Sequence, residues 1–142
     1  MILTRIAMAL AVAVSGVSHA YLYIHGYQHI PTIGTAFVVQ AGLAFALSLL
    51  IVIGGPSWLG WAAAMVSGGA LIAFALSRTG GFFGFSERGW QPSPHAAISV
   101  VAELLAVGLW AVYVVEGRRA GKVVASGVSR DQTVVTYPPS MR

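Results

Sequence analysis

Apolar residues in this chain run almost unbroken through four stretches, residues 6–24, 35–53, 58–76 and 96–115, separated by short polar or breaker-rich connections. Each approaches the roughly 20 apolar residues that a helix needs to cross about 30 Å of hydrocarbon. The pattern therefore predicts an all-α integral membrane four-helix bundle with short loops. Only Gly54-Gly55-Pro56-Ser57 separates the second stretch from the third, which leaves room for a tight hairpin and nothing longer. Beyond Glu116 the apolar run stops, and a basic tail containing Pro138-Pro139 is expected to be disordered. Two regions follow: a transmembrane domain over residues 1–116 and a tail over residues 117–142.

Composition strengthens this picture. Hydrophobic residues make up 57% of the chain and charged residues only 8%, against roughly 25% charged in a soluble domain, too few to cover a water-facing surface. The net charge of +4 would suggest nucleic acid in a soluble protein, but its placement excludes that partner. Arg5, Arg118, Arg119, Lys122, Arg130 and Arg142 lie toward the two ends of the chain, as Lys and Arg collect on cytoplasmic flanks. The connection over residues 25–34 carries neither Lys nor Arg, and the connection over residues 77–95 carries Arg78 and Arg88 around Glu87. Both termini are expected in the cytoplasm, both longer loops outside, and the protein in the cell membrane. Tyr21, Tyr23, Tyr27, Phe82, Phe83, Phe85 and Trp90 cluster at the outer ends of the spans, as interfacial aromatics do. Residues 1–20 also match a signal peptide, with Arg5, an apolar run and Ser18-His19-Ala20 at the cleavage position. Continuation of the run to Ile24 favours a retained span.

Polar residues within the spans carry the chemistry. Glu103 is the only acidic residue inside any of the four stretches. An ionisable side chain at mid-bilayer costs roughly 2.5 to 3.5 kcal/mol on insertion scales, so such groups usually face the bundle interior. His19, Gln40 and Glu103 all fall about 7 to 11 Å below the outer boundary at 1.5 Å of rise per residue. Arg78, just past the third span, is long enough to reach toward that level. Rows at four-residue spacing place small residues beside them: Ala7, Ala11, Ser15 and His19; Ala36, Gln40, Ala44 and Ser48; Gly60, Ala64 and Gly68. Ser99 lies one turn above Glu103. His19, Gln40, Glu103 and Arg78 are the expected intramembrane polar cluster, either a buried hydrogen-bonded register pin or a titrating pair that binds a proton, cation or polar head group.

Other constellations say less. His25 and His29 have i, i+4 spacing, but Gly26 and Pro31 oppose a regular helix there, so no metal is expected. Only His19 of the four histidines lies within a span, which argues against bis-histidine haem. The glycines of residues 79–85 lack the Lys-Ser/Thr of a phosphate loop and read as flexible turns with lipid-seeking phenylalanines. With no cysteine and no Ser/His/Asp set, no catalytic residue and no cofactor is expected.

Gly26-Tyr27, Ile30-Pro31, Ile33-Gly34 and Phe37, followed by Ser77-Arg78, Gly81, Phe83-Gly84-Phe85, Glu87, Gly89-Trp90 and Glu103, give the chain a further likeness. It resembles the uncharacterised small four-span integral membrane proteins of actinobacteria over about residues 19–115. That resemblance implies the four-span architecture and no activity.

Together these features lead to the expectation of a non-enzymatic accessory or binding protein of a larger membrane complex. Its expected partners are the lipid bilayer and either that complex or a second copy of the chain. Two alternatives stand beside it: a small proton-coupled transporter using Glu103 and His19, and a haem- or quinone-binding membrane redox subunit.

Overall fold

The computed structural model describes the backbone of residues 2–134, with side chains through residue 119 and at residue 121. Four helices account for most of it: α1 Ile2–Ile24, α2 Ile33–Val52, α3 Trp58–Thr79 and α4 His95–Val134, with a short 3-10 turn at Tyr27–His29 between the first two. All four are long and apolar enough to cross a membrane, the fourth over His95–Arg119. The expected all-α four-helix architecture is therefore the one observed, with span ends shifted by a few residues.

Helix boundaries follow from local chemistry. α2 stops where Gly54 takes φ of 92°, a left-handed conformation that glycine adopts without Cβ strain. Gly55 N–H then donates to the Leu50 carbonyl at 2.9 Å and Gly54 N–H to the Ile51 carbonyl at 3.3 Å. This pair of bonds closes the helix end as a Schellman cap. Pro94 lies just before α4, where a ring without an N–H belongs at a helix start. Beyond Glu116 the backbone of α4 runs on as helix to Val134. Nothing in residues 117–134 breaks a helix strongly, since the first proline after Pro94 is Pro138. Residues 135–142 lie outside the described residues.

α1 is the centre of the bundle, packed along both α2 and α4, while α3 leans on α4 and touches α2 less. One half is closed by Met8, Ala9, Val12, Ala44, Leu47, Ile51, Leu59, Ala63 and Ala106. Small residues set the spacing there. A Cβ on Gly16 would lie 3.0 Å from the Ala44 Cβ, so α1 and α2 approach as closely as glycine allows. Ser48 Oγ donates to the Ala9 carbonyl at 2.9 Å across the same seam. At the end of this half, Arg5 donates to the carbonyls of Gly55 at 2.7 Å and Ile51 at 3.3 Å. The first basic residue of the chain thus anchors the α2–α3 hairpin to α1.

Leu10, Val14, Leu43, Leu49, Met65, Ile72, Val101 and Leu105 remain exposed around the outside. Four helices that carry large apolar side chains outward define a multi-pass integral membrane protein in contact with lipid. Small-residue rows point the other way: Ala11, Ser15 and His19 of α1, Ala44 of α2 and Gly60 of α3 are buried between helices of this same chain.

Candidate functional site

The second half of the bundle, where the α1–α2 and α3–α4 connections lie, holds a cavity of about 220 Å³. α2 and α3 form two of its walls, through Phe37 and Gln40 on one side and Gly69, Ala70, Ala73 and Phe74 on the other. Gly69 leaves space there, because a Cβ at that position would meet nothing within 4 Å. His19 of α1 and Ser99 and Glu103 of α4 close the deep end, and Phe82, Phe85 and Glu87 of the α3–α4 loop close the top.

All four residues expected to cluster line this one cavity: His19, Gln40, Arg78 and Glu103. They are not all bonded to one another. His19 Nε2 lies 3.7 Å from Glu103 Oε1, beyond a direct hydrogen bond. Ser15 joins them, its Oγ donating to Glu103 Oε1 at 3.0 Å. His19 Nδ1 faces the Ser15 carbonyl at 3.0 Å. A carbonyl only accepts, so Nδ1 carries the proton and, in the neutral ring, Nε2 is left as an acceptor. Glu103 is 1% exposed and His19 9%. Among the described residues, no hydrogen bond engages His19 Nε2 or Glu103 Oε2, which face the cavity, whereas the fully enclosed side-chain atoms without a partner are His95 Nδ1 and Trp110 Nε1.

Gln40 stands apart from this pair and donates weakly to the Val66 carbonyl, at 3.4 Å, across to α3. Ser99 Oγ donates to the Ala96 carbonyl at 3.1 Å, within its own helix. Arg78 turns away from Glu103. Its Nη1 donates to Glu87 Oε2 at 2.7 Å and to Ser77 Oγ at 3.0 Å, and its Nε donates to the Gly89 carbonyl at 2.8 Å. The guanidinium is spent on pinning the α3–α4 loop to the end of α3, and it also covers the Phe74 ring, 4.3 Å from the centroid.

Glu87 is the residue that sequence reasoning placed only as a loop charge. Its carboxylate accepts from Arg78 and also from the Tyr27 hydroxyl. Tyr27, expected at the lipid interface, is buried instead, with its ring stacked 4.5 Å from Phe37. Burial first, and then the bond to Glu87, push the phenol well above its ordinary range. The loop phenylalanines also depart from a lipid-seeking role. Phe82 and Phe85 pair through their backbones and pack on the Leu22, Tyr27 and Ile33 cluster, leaving Phe83 alone exposed, at 73%. Gly81 and Gly84, with φ of 85° and 76°, make the turn that aims two rings inward. The repeated Phe-Gly spacing was the available signal, read as flexible because a lipid-facing and an inward-facing ring look alike in sequence.

His25 is used elsewhere. Tyr21 stacks against both His25 and His95, with centroids 3.8 Å from each. Among the described residues no group of three or more His, Asp or Glu is arranged to hold a metal ion.

The chain matches no family model, no curated protein and no solved structure. Fold and cavity together define the class: a small multi-pass membrane protein with a polar-based pocket in one half of its bundle.

Proposed function

We propose that this is a non-enzymatic binding protein of the cell membrane, with both termini cytoplasmic, that holds a small ligand in the cavity between α2, α3 and α4. One observation carries the reading: a cavity of about 220 Å³ ends on two largely buried polar side chains, His19 and Glu103, 3.7 Å apart, each presenting a polar atom to the cavity. Buried polar groups left open are costly in lipid, and a ligand that completes them lowers that cost. Apolar walls with a few convergent polar groups are the usual make-up of small-molecule sites. The resemblance to small four-span actinobacterial proteins fits this architecture and assigns no activity. An accessory role in a larger membrane complex belongs to the same reading, with the ligand as what the protein brings to that complex.

The test is purification in mild detergent followed by mass spectrometry of retained small molecules and proteins, on wild type and on Gly69→Leu. Wild type retains a small molecule that Gly69→Leu, with a side chain added on the cavity wall, loses. Identical retention by both folded proteins would remove the cavity as the site.

A second reading has its own observation. His19 and Glu103 lie 3.7 Å apart on the cavity wall, an arrangement suited to passing a proton in a coupled carrier. Glu103→Gln then abolishes a pH-dependent flux in proteoliposomes without loss of folded protein, and an unchanged flux would exclude Glu103 from it.

A further inference from the structure

Deepening the cavity-binding reading, and resting on it, we infer that the ligand is a phenol: a single aromatic ring whose hydroxyl bridges His19 and Glu103.

Size sets the first limit. An enclosed apolar cavity of about 150 Å³ accepts benzene, so this partly open pocket of about 220 Å³ has room for one substituted ring. Wall chemistry sets the second. Phe37, Phe74, Phe82 and Phe85 line the cavity above the polar base, and aromatic walls favour a ring through offset or edge-on contacts.

Polarity at the base is the most restrictive feature. His19 Nδ1 is committed to the Ser15 carbonyl, which leaves Nε2 as the acceptor of the neutral ring. Glu103 Oε1 already accepts from Ser15, and its second oxygen faces no protein donor among the described residues. The separation of 3.7 Å between Nε2 and Glu103 Oε1 is too long for a direct bond and short enough for one oxygen to bond to both at about 2.7 Å, using the lone pair of Oε1 that Ser15 leaves open. A hydroxyl fits, donating to one group and accepting from the other when the carboxyl or imidazole carries the shared proton. An ether or a ketone offers no donor to this pair.

Anionic ligands are disfavoured by the same accounting of partners. Arg78 is the one guanidinium at the cavity, and its donors go to Glu87, Ser77 and the Gly89 and Gln91 carbonyls. No uncommitted cation awaits a carboxylate or a phosphate among the described residues that line the cavity. A neutral ring with a hydroxyl also partitions into the bilayer, where all four helices present their apolar faces.

Fluorine NMR of wild-type protein in phosphatidylcholine nanodiscs tests this directly, using 4-fluorophenol, 4-fluoroanisole and 4-fluorobenzylamine, with empty nanodiscs as the partitioning control. The phenol is expected to bind at least about tenfold more tightly than the anisole, as a hydrogen bond to a charged or strongly polar group would give. Glu103→Gln reduces that preference severalfold. Equal affinity for phenol and anisole overturns the hydroxyl bridge while leaving the cavity-binding reading intact. Failure of any ring to bind the wild type overturns both. Tighter binding of the benzylamine overturns the phenol in favour of a cation. A short-chain alkyl hydroquinone added as competitor separates two sources of the same chemistry. Displacement of 4-fluorophenol at lower concentration than by phenol itself assigns the ligand to membrane hydroquinones, and the reverse order assigns it to free phenols. The wild-type comparison of phenol with anisole needs no variant, so a misfolded Glu103→Gln does not blunt the test.

Discussion

The two halves of this bundle use the same four helices and opposite packing solutions. In one, Met8, Ala9, Val12, Ala63 and Ala106 are almost completely buried and the helices interlock. In the other, Gly69, Ala70 and Ala73 of α3 leave a cavity open beside Phe37 and Gln40 of α2. Lipid supplies no hydrophobic drive for helix association, so packing and interhelical hydrogen bonds must hold the fold. The closed half carries that task. The open half is consequently free to keep a cavity with the polar side chains His19 and Glu103 at its base. Stability and ligand chemistry have been assigned to different ends of one molecule.

The largest effect that would break this division is Met8→Ala. Met8 is 2% exposed at the centre of the closed half and lies against Gly60. Its truncation is expected to cost about 2 kcal/mol, the low end of the range for buried Met→Ala because lipid also solvates the apolar side chain. Reversible unfolding in mixed micelles measures it. A loss below about 0.5 kcal/mol would mean that the closed half does not dominate stability.

Next comes the clip that roofs the open half. Glu87→Ala strands the Tyr27 hydroxyl and one Arg78 donor, and each half-buried orphan costs on the order of 1 kcal/mol. Hydrogen exchange should rise over residues 80–91 and stay unchanged around Met8. Uniform acceleration through both halves would show that they unfold as one.

Much of this division was legible in the sequence, and the illegible parts have specific causes. Depth and four-residue spacing brought His19 and Glu103 together, because helical rise and the outer boundary fix level and face. Ser15 stands on the same row as one of its small residues, and in sequence a serine that donates across helices looks the same as one that merely fits. The length of Arg78 lets it reach toward the level of Glu103, and it lines the same cavity while bonding elsewhere. Its actual acceptor, Glu87, lies nine positions along a loop whose path depends on Gly81 and Gly84, and loop paths carry no period.

Tyr27→Phe offers a smaller, pH-resolved probe of the roof. Burial, followed by the bond to Glu87, raises the Tyr27 phenol above its ordinary value of 10.0. Between that value and its folded one, the folded state binds more protons than the unfolded state. The stabilisation is therefore fully present below pH 10.0 and is lost as pH rises through the folded value. Tyr27→Phe should cost about 1 kcal/mol at neutral pH and should flatten the decline of unfolding free energy above pH 10.0. A variant that declines as steeply as wild type would remove Tyr27 as the alkaline-sensitive group.

The finest comparison makes one substitution, glycine to alanine, in both packing regimes. At Gly16, on the α1–α2 seam, the new Cβ would sit 3.0 Å from the Ala44 Cβ and 3.3 Å from Phe45. The exposed Phe45 ring can swing aside, but Ala44 is fixed to its helix backbone, so the seam must open slightly. At Gly69, on the cavity wall, the new Cβ meets nothing within 4 Å, and alanine is intrinsically better than glycine in a helix by up to about 1 kcal/mol. Gly16→Ala should therefore lower stability by about 1 kcal/mol, whereas Gly69→Ala should leave it unchanged or raise it by about 0.5 kcal/mol. Parallel unfolding curves for the two variants decide the point. Opposite signs would confirm that the same backbone serves as a packed joint at one level and as a cavity wall at another. Equal losses would mean that α3 is held as tightly at Gly69 as α1 is at Gly16, leaving no open half for a ligand to enter.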